Sequence, residues 1–355
     1  LEHSRPLWRI YLIEFEAGGC AIFCRIHHAI ADGIALVRVL LSLTDERADA
    51  AQPAPAPQPE HTDPLSQAWR SFIGLTQTAA ALTQQATHLL QRSIENPAYA
   101  RQLVEATGIL TAASAAILAK LLLIPPDRPS PLKGDLGALK RLVWSAPLSL
   151  EQIKATGYRH GATVNDIVVA MVAGALRRYL QQRGDPVEEG ILRVMAPVNL
   201  RPQGQEPGLG NQFSLVYLAL PVSLADPIER LLAVKERMTV LKHSPEPLIT
   251  YQVLNVLGML PGELARRFVE LFASKATAVL TNVPGPRQPR YLAGQPIRRL
   301  LYWVPQSGQI GMGVSIISYA GEVTVGVMVD EKLAPDAELL VQGLEEELAA
   351  LRDGP

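Results

Sequence analysis

The chain of 355 residues carries 33 Lys and Arg against 34 Asp and Glu, a formal net charge of -1, and 48% of it is hydrophobic. That balance leaves no electrostatic footprint for nucleic acid, and the length exceeds what one core usually uses, so two domains are expected. Seven His and two Cys leave no structural zinc cluster of the common kinds, and no metal is expected.

The opening "LEHSRPLWRIYLIEF" has no initiator Met or leader and runs at once into a strand, so an N-terminal portion is expected to be missing or to exist as a separate chain. Residues 8–15 and 20–27 read as neighbouring strands turned by Gly18 and Gly19. Cys20 and Cys24 share a face of the second, too far apart for an easy disulfide, and read as buried thiols in a reducing compartment.

The stretch "FCRIHHAIADGIAL", residues 23–36, carries an apolar strand into paired histidines, an Asp-Gly and a helix over 33–43. Neighbouring strand side chains face opposite ways, so one histidine at most faces a given pocket. An imidazole is well suited to take a proton from an alcohol near neutral pH, with a reference pKa of about 6.5. Asp32, four residues after His28, can orient that ring or hold the loop through an Arg, and Gly33 allows a turn or close approach of substrate. Equally, the pair can be a surface junction with Asp32 capping the helix.

Residues 49–64, "DAAQPAPAPQPEHTDP", form a Pro/Ala linker, followed by helical segments around 65–93 and 98–123. Within them, residues 106–126 reach the ~20-residue length of a membrane span but are broken by Gly108 and Lys120, so a buried or surface-lying helix is expected. An irregular connector at 125–137 precedes a strand at 139–146 and helices at 149–159 and 163–182. The run "TVNDIVVAMVAGALRRYL" is apolar around most of its circumference and fits a helix buried between layers, capped by Thr163. Strands at 191–198 and 212–220, helices at 224–243 and 262–274, strands in "TAVLTNVPG", "IRRLLYWVP" and "IGMGVSIISYAGEVTVGVMVD", and a helix at 335–350 complete a mixed α/β pattern.

"HHAIADG" resembles the HHxxxDG motif of the bacterial bifunctional wax ester synthase/diacylglycerol acyltransferase family. The flanking blocks "PLWRIYLIE", "TVNDIVVAMVAGALRRYL", "MAPVNLR", "LGNQFS", "TNVPGP" and "GVSIISYAGEVTVGVMVD" follow in that family's order. The resemblance covers nearly the whole chain. It implies two chloramphenicol-acetyltransferase-like α/β domains: 1–48 as the remainder of a first domain lacking its N-terminal part, 49–138 as linker and helical connector, and 139–355 as the second domain.

By the same resemblance a long-chain acyl group passes from acyl-CoA to a fatty alcohol or diacylglycerol, without a cofactor and without an acyl-enzyme. His28 is the general base, His27 shapes the pocket, and Asp32 and Gly33 organise the loop. Asn165 of the ND pair donates to the oxyanion or places the loop, with Asp166 beside it; the ordinary alternative is that both serve the helix N-terminus. Asn282, Pro284 and Gly285 support a rigid turn, and Ser318, with Ser315 and Tyr319 near it, ranks second to Asn165 as a donor. Arg266, Arg267 and Lys275 could meet CoA phosphates, against the stronger reading of solvated helix charges. A cytoplasmic location with peripheral contact to membrane or lipid inclusions is expected. The rival expectations are another CoA- or carrier-dependent acyltransferase, and a lipid-binding protein without catalysis.

Overall fold

In the computed structural model, which describes residues 6–50, 112–189, 191–201, 212–259 and 261–354, the chain starts as a hairpin. Strand β1 (Trp8–Glu14) pairs antiparallel with β2 (Cys20–Ile26). Gly18 and Gly19 turn between them at φ of 85° and 88°, left-handed values that glycine adopts without a Cβ clash. Helix α1 (Gly33–Ser42) follows. The ribbon leaves Trp8, Ile10, Leu12 and Phe15 exposed. Phe23 meets the segment that covers the main sheet, its ring edge-on to Trp303 with centroids 6.5 Å apart. Cys20 is exposed and Cys24 partly buried, which corrects the expectation of two buried thiols: the face they share with exposed Ile22 is only partly covered.

Most of the linker and of the two long helical segments lies outside the described residues. Helix α2 (Ala112–Leu123) is the part of 98–123 that is described. Its C-terminal carbonyls, those of Leu121 and Leu122, accept from the buried Lys275 ammonium. The connector at 125–137 is irregular, as expected, and firmly held. The Asp127 carboxylate takes the Arg193 N–H at 2.8 Å, the Arg193 guanidinium at 2.6 Å and the Thr277 hydroxyl at 2.9 Å.

Strands β3 (Lys140–Trp144), β4 (Leu148–Ser149), β5 (Leu192–Asn199), β6 (Phe213–Leu220) and β7 (Ala278–Pro284) belong to one mixed sheet. After a small ribbon of β8 (Tyr291–Leu292) and β9 (Gln295–Pro296), β10 (Met312–Tyr319) and β11 (Glu322–Asp330) complete that sheet. The order is β3-β11-β10-β7-β5-β6, with β4 also on β11. β7 runs parallel to β10 and β5, and the other pairs are antiparallel. Helices α3 (Leu150–Arg159), α4 (Val164–Gln182), α5 (Pro227–His243) and α8 (Glu338–Asp353) flank the sheet on one face. This is the α/β architecture with mixed sheet and flanking helices expected from the sequence.

Helix α4 is the centre of the core. Thr163 caps it, accepting from the Asp166 N–H at 3.2 Å while Asp166 Oδ2 takes the Thr163 N–H at 2.8 Å, a reciprocal capping box. From Asp166 to Arg177 every residue is buried. Its aliphatic residues meet Ala278 and Leu280 of β7 and Met312, Val314 and Ile316 of β10 in one apolar cluster.

Two elements depart from expectation. Residues 297–305 form no strand, because Tyr302 lies across the sheet instead of extending its edge. Its hydroxyl donates toward the carbonyls of Thr281 and Ile316, at 3.2 and 3.1 Å, and Ser315 bonds its carbonyl. Burial pushes the Tyr302 phenol far above its ordinary pKa. Helix α6 (Glu246–Gly258) is additional; it precedes α7 (Gly262–Ser274).

Candidate active site

The C-terminal ends of the parallel strands β5 and β7, with the start of β6, form the floor on which the histidine motif sits. At the end of β2, the His27 N–H extends the hairpin ladder to the Leu7 carbonyl at 2.8 Å. The His27 ring then closes a turn, with Nδ1 accepting from the Ala29 N–H at 3.2 Å. His28, next in sequence, is half-buried, and its imidazole stands edge-on to Phe213, centroids 5.9 Å apart at 71°. Phe213 opens β6 opposite Asn199, the last residue of β5.

Asp32 is 4% exposed, and two kinds of bond occupy it. One oxygen caps α1 through the Ala35 N–H at 3.1 Å; the other takes the Gln212 N–H at 3.1 Å and the Arg201 guanidinium at 2.6 Å. The helix-capping and arginine-anchoring readings of this residue are therefore both realised at once. Arg201, Gln212 and Phe213 lie in the "MAPVNLR" and "LGNQFS" blocks, and pattern alone attaches no task to any of them. Gly33 is the first residue of α1 and is not at positive φ; a Cβ there would meet Val283 Cγ2 at an ordinary 3.6 Å. The turn expected at Gly33 is thus a helix start.

Asn165 sits in the first turn of α4 without capping it. Its Oδ1 accepts from Asn282 Nδ2 at 2.9 Å, and Asn282 projects from the exposed end of β7. Asp166 is committed to the capping box, with its Oδ1 buried and unbonded among the described residues. The next residue on β7, Val283, is the one beneath Gly33, so two consecutive side chains reach the ND helix and the motif helix from opposite faces. Gly285 follows Pro284 and donates its N–H to the Ser318 carbonyl at 3.0 Å. A Cβ at Gly285 would lie 2.2 Å from that oxygen, so only glycine fits.

Other candidates fall away from this floor. The Ser315 hydroxyl is spent on the Tyr302 and Gly326 carbonyls, and Tyr319 donates to the Ile297 carbonyl at 2.7 Å. Lys275, 1% exposed, holds the end of α2, and burial lowers its ammonium pKa; it is not a solvated helix charge. Arg266 is paired on an exposed face with Glu263 and Glu270, and Arg267 lies 3.7 Å from Glu263. No group of three or more His, Cys, Asp or Glu placed to hold a metal occurs among the described residues.

The histidine motif thus places an imidazole at the strand ends and, four residues on, an aspartate buried under an arginine, in a mixed α/β fold. The wax ester synthase/diacylglycerol acyltransferase catalytic domain model matches residues 1–168, and the WS/DGAT C-terminal domain model matches residues 209–352. Two Mycobacterium tuberculosis proteins provisionally named diacylglycerol O-acyltransferases are similar. One is 30% identical over 363 residues, spanning 99% of this chain and 68% of the relative. The other is 31% identical over 362 residues, spanning 100% and 72%. The chain belongs to the wax ester synthase/diacylglycerol acyltransferase family. The fold is also that of the wax ester synthase/diacylglycerol acyltransferase from Marinobacter aquaeolei VT8, with a TM-score of 0.60 at 20% identity over 99% of this chain and 72% of that one. It extends to the cyclization-docking bidomain EpoB of Sorangium cellulosum, with a TM-score of 0.55 at 13% identity over 99% and 64%. As a family member the protein is an O-acyltransferase acting between acyl-CoA and a lipid acceptor.

Proposed function

We propose that His28 is the general base of this transfer. Its imidazole takes the hydroxyl proton of a long-chain alcohol or diacylglycerol, and the oxygen attacks the thioester carbonyl of a long-chain acyl-CoA. The tetrahedral intermediate carries its charge on the former carbonyl oxygen, where an Asn165 N–H supplies a hydrogen bond; such a donor is worth about 3 kcal/mol. Collapse breaks the C–S bond, and the departing CoA thiolate recovers the proton from the imidazolium. Atoms and charge balance without an acyl-enzyme, so Cys20 and Cys24 have no part.

The observation that carries this reading is the bonding of Asp32. Its carboxylate is taken up by Arg201, Gln212 and the α1 cap, which suits a loop anchor and leaves proton transfer to the half-buried ring of His28 against Phe213. Residues 1–48 then belong to one chloramphenicol-acetyltransferase-like domain, 139–355 to a second, with 49–138 as the connector. Among the described residues no helix is long and apolar enough to cross a membrane. The neighbouring helices α2, α6 and α7 expose Leu123, Leu248, Val256 and Leu264, which suit peripheral contact with a cytoplasmic membrane face or lipid inclusion where the substrates partition.

The test is thiol release from long-chain acyl-CoA, with hexadecanol and diacylglycerol supplied in parallel. Either alcohol is expected to stimulate release in the native protein and neither in His28→Ala. Ester synthesis persisting in His28→Ala would remove His28 as the base, and failure of either alcohol to stimulate release in the native protein would return the chain to a lipid-binding role.

A further inference from the structure

The Asn165–Asn282 contact has a polarity. An asparagine amide offers an acceptor oxygen and a donor N–H2 of nearly the same shape, exchanged by a half-turn of its last torsion. One orientation of Asn165 stabilises an oxyanion and the other repels it. Asn282 donates to Asn165 Oδ1, and among the described residues nothing accepts from Asn165 Nδ2. The platform is rigid on both sides: Asn282 shares a face of β7 with Ala278 and Leu280, which pack beneath α4, and the capping box fixes the first turn that carries Asn165.

We propose that Asn282 is a positioning residue for acyl transfer, holding the oxygen of Asn165 toward itself and so turning the Asn165 N–H2 toward the reacting carbonyl. This rests on the reading of Asn165 as the oxyanion donor. It gives the "TNVPGP" block a task in the chemistry, through Asn165, beyond shaping a turn.

Asn282→Asp is the sharp test, because a carboxylate only accepts and would draw the Asn165 N–H2 to itself. In the full chain, kcat for thiol release is expected to fall about 100-fold, with the KM for acyl-CoA within about twofold, as for loss of one oxyanion donor. Asn282→Gln keeps the donor and is expected to retain kcat within about fivefold. Asn165→Ala combined with Asn282→Asp is expected to be no slower than Asn165→Ala alone. Side chain 282 is exposed, so melting temperatures are expected within a few degrees of the parent. Wild-type kcat in Asn282→Asp, with Asn165→Ala impaired, overturns the coupling alone. Wild-type kcat in Asn165→Ala overturns the donor assignment beneath it. A loss confined to KM or melting temperature places Asn282 in packing only.

Discussion

Arg201 and Asp32 form an ion pair 2.6 Å long in which both side chains are 6% exposed, tying the end of β5 to the histidine motif. Removing Arg201 leaves the Asp32 carboxylate buried with only the Ala35 and Gln212 N–H groups, and breaking a buried pair in this way costs roughly 3–5 kcal/mol, more than an exposed pair could contribute. Asp32→Ala also loses the α1 cap, about 1 kcal/mol further. Urea denaturation is expected to show Arg201→Ala destabilised by about 3 kcal/mol and Asp32→Ala by more. The double variant should fall short of their sum, because both single variants break the same ion pair. Equal stability of Arg201→Ala and the parent would mean that the pair opens to solvent.

The two site glycines are expected to behave oppositely. A Cβ at Gly285 would overlap the Ser318 carbonyl at 2.2 Å, and neither strand end can move without breaking the β7–β10 ladder. A Cβ at Gly33 makes ordinary contact at 3.6 Å on a helical residue, where alanine is the better helix former by up to about 1 kcal/mol. Thermal melting should show Gly285→Ala losing about 2 kcal/mol or more and Gly33→Ala unchanged or slightly stabilised, with activity kept within about threefold. Inactive but stable Gly33→Ala would instead show that substrate needs the space.

What the sequence reveals about this site divides by range. The α4 helix and its Thr163 cap are legible because both are local: a capping residue, a partner three positions on and an apolar run. The anchoring of Asp32 by an arginine is legible as a kind of bond, but its owner is not. Arg201 and Gln212 meet Asp32 only because β5 and β6 pair in a register that sets Asn199 opposite Phe213, and no local pattern contains that register. Residues 297–305 mislead for the reverse reason. Their apolar residues pack as a cover on one sheet face, a pattern that reads like a strand without any ladder partner. Helix α6 is obscured by Pro245 and Pro247, which look like breakers but occupy positions at a helix start where no N–H partner is lost.

Phe213 gives His28 an aromatic wall, its ring edge-on to the imidazole with centroids 5.9 Å apart. Edge-on aromatic pairing is worth about 0.5–1.5 kcal/mol, enough to favour one imidazole orientation by up to tenfold. Phe213→Ala is expected to lower kcat about tenfold, while Phe213→Tyr, which preserves the ring, stays within about twofold. Unfolding measured alongside should show only the loss appropriate to a half-buried side chain. Unchanged kcat in Phe213→Ala would place the orientation of His28 in other hands.

Acid stability should depend on Asp330, which joins the 125–137 connector to the end of β11. Burial pushes its carboxyl pKa up, but the Gly137 N–H at 3.0 Å, Lys140 Nζ at 3.0 Å and the Lys332 N–H at 3.1 Å outweigh that and hold it below its ordinary 3.8. A carboxyl with a lower pKa folded than unfolded adds stability in full above the unfolded value, and that stability drains away as pH falls through the folded one. The window is therefore the acid side of 3.8, and near-neutral pH leaves the contribution intact. Asp330→Asn cannot titrate: its unfolding free energy should be lower than the parent's at pH 7 and should fall less steeply below pH ~4. Parallel acid limbs in the two proteins would assign acid unfolding to other carboxylates, with Asp336, held low against its own burial by Tyr179 and Arg183, the next to replace.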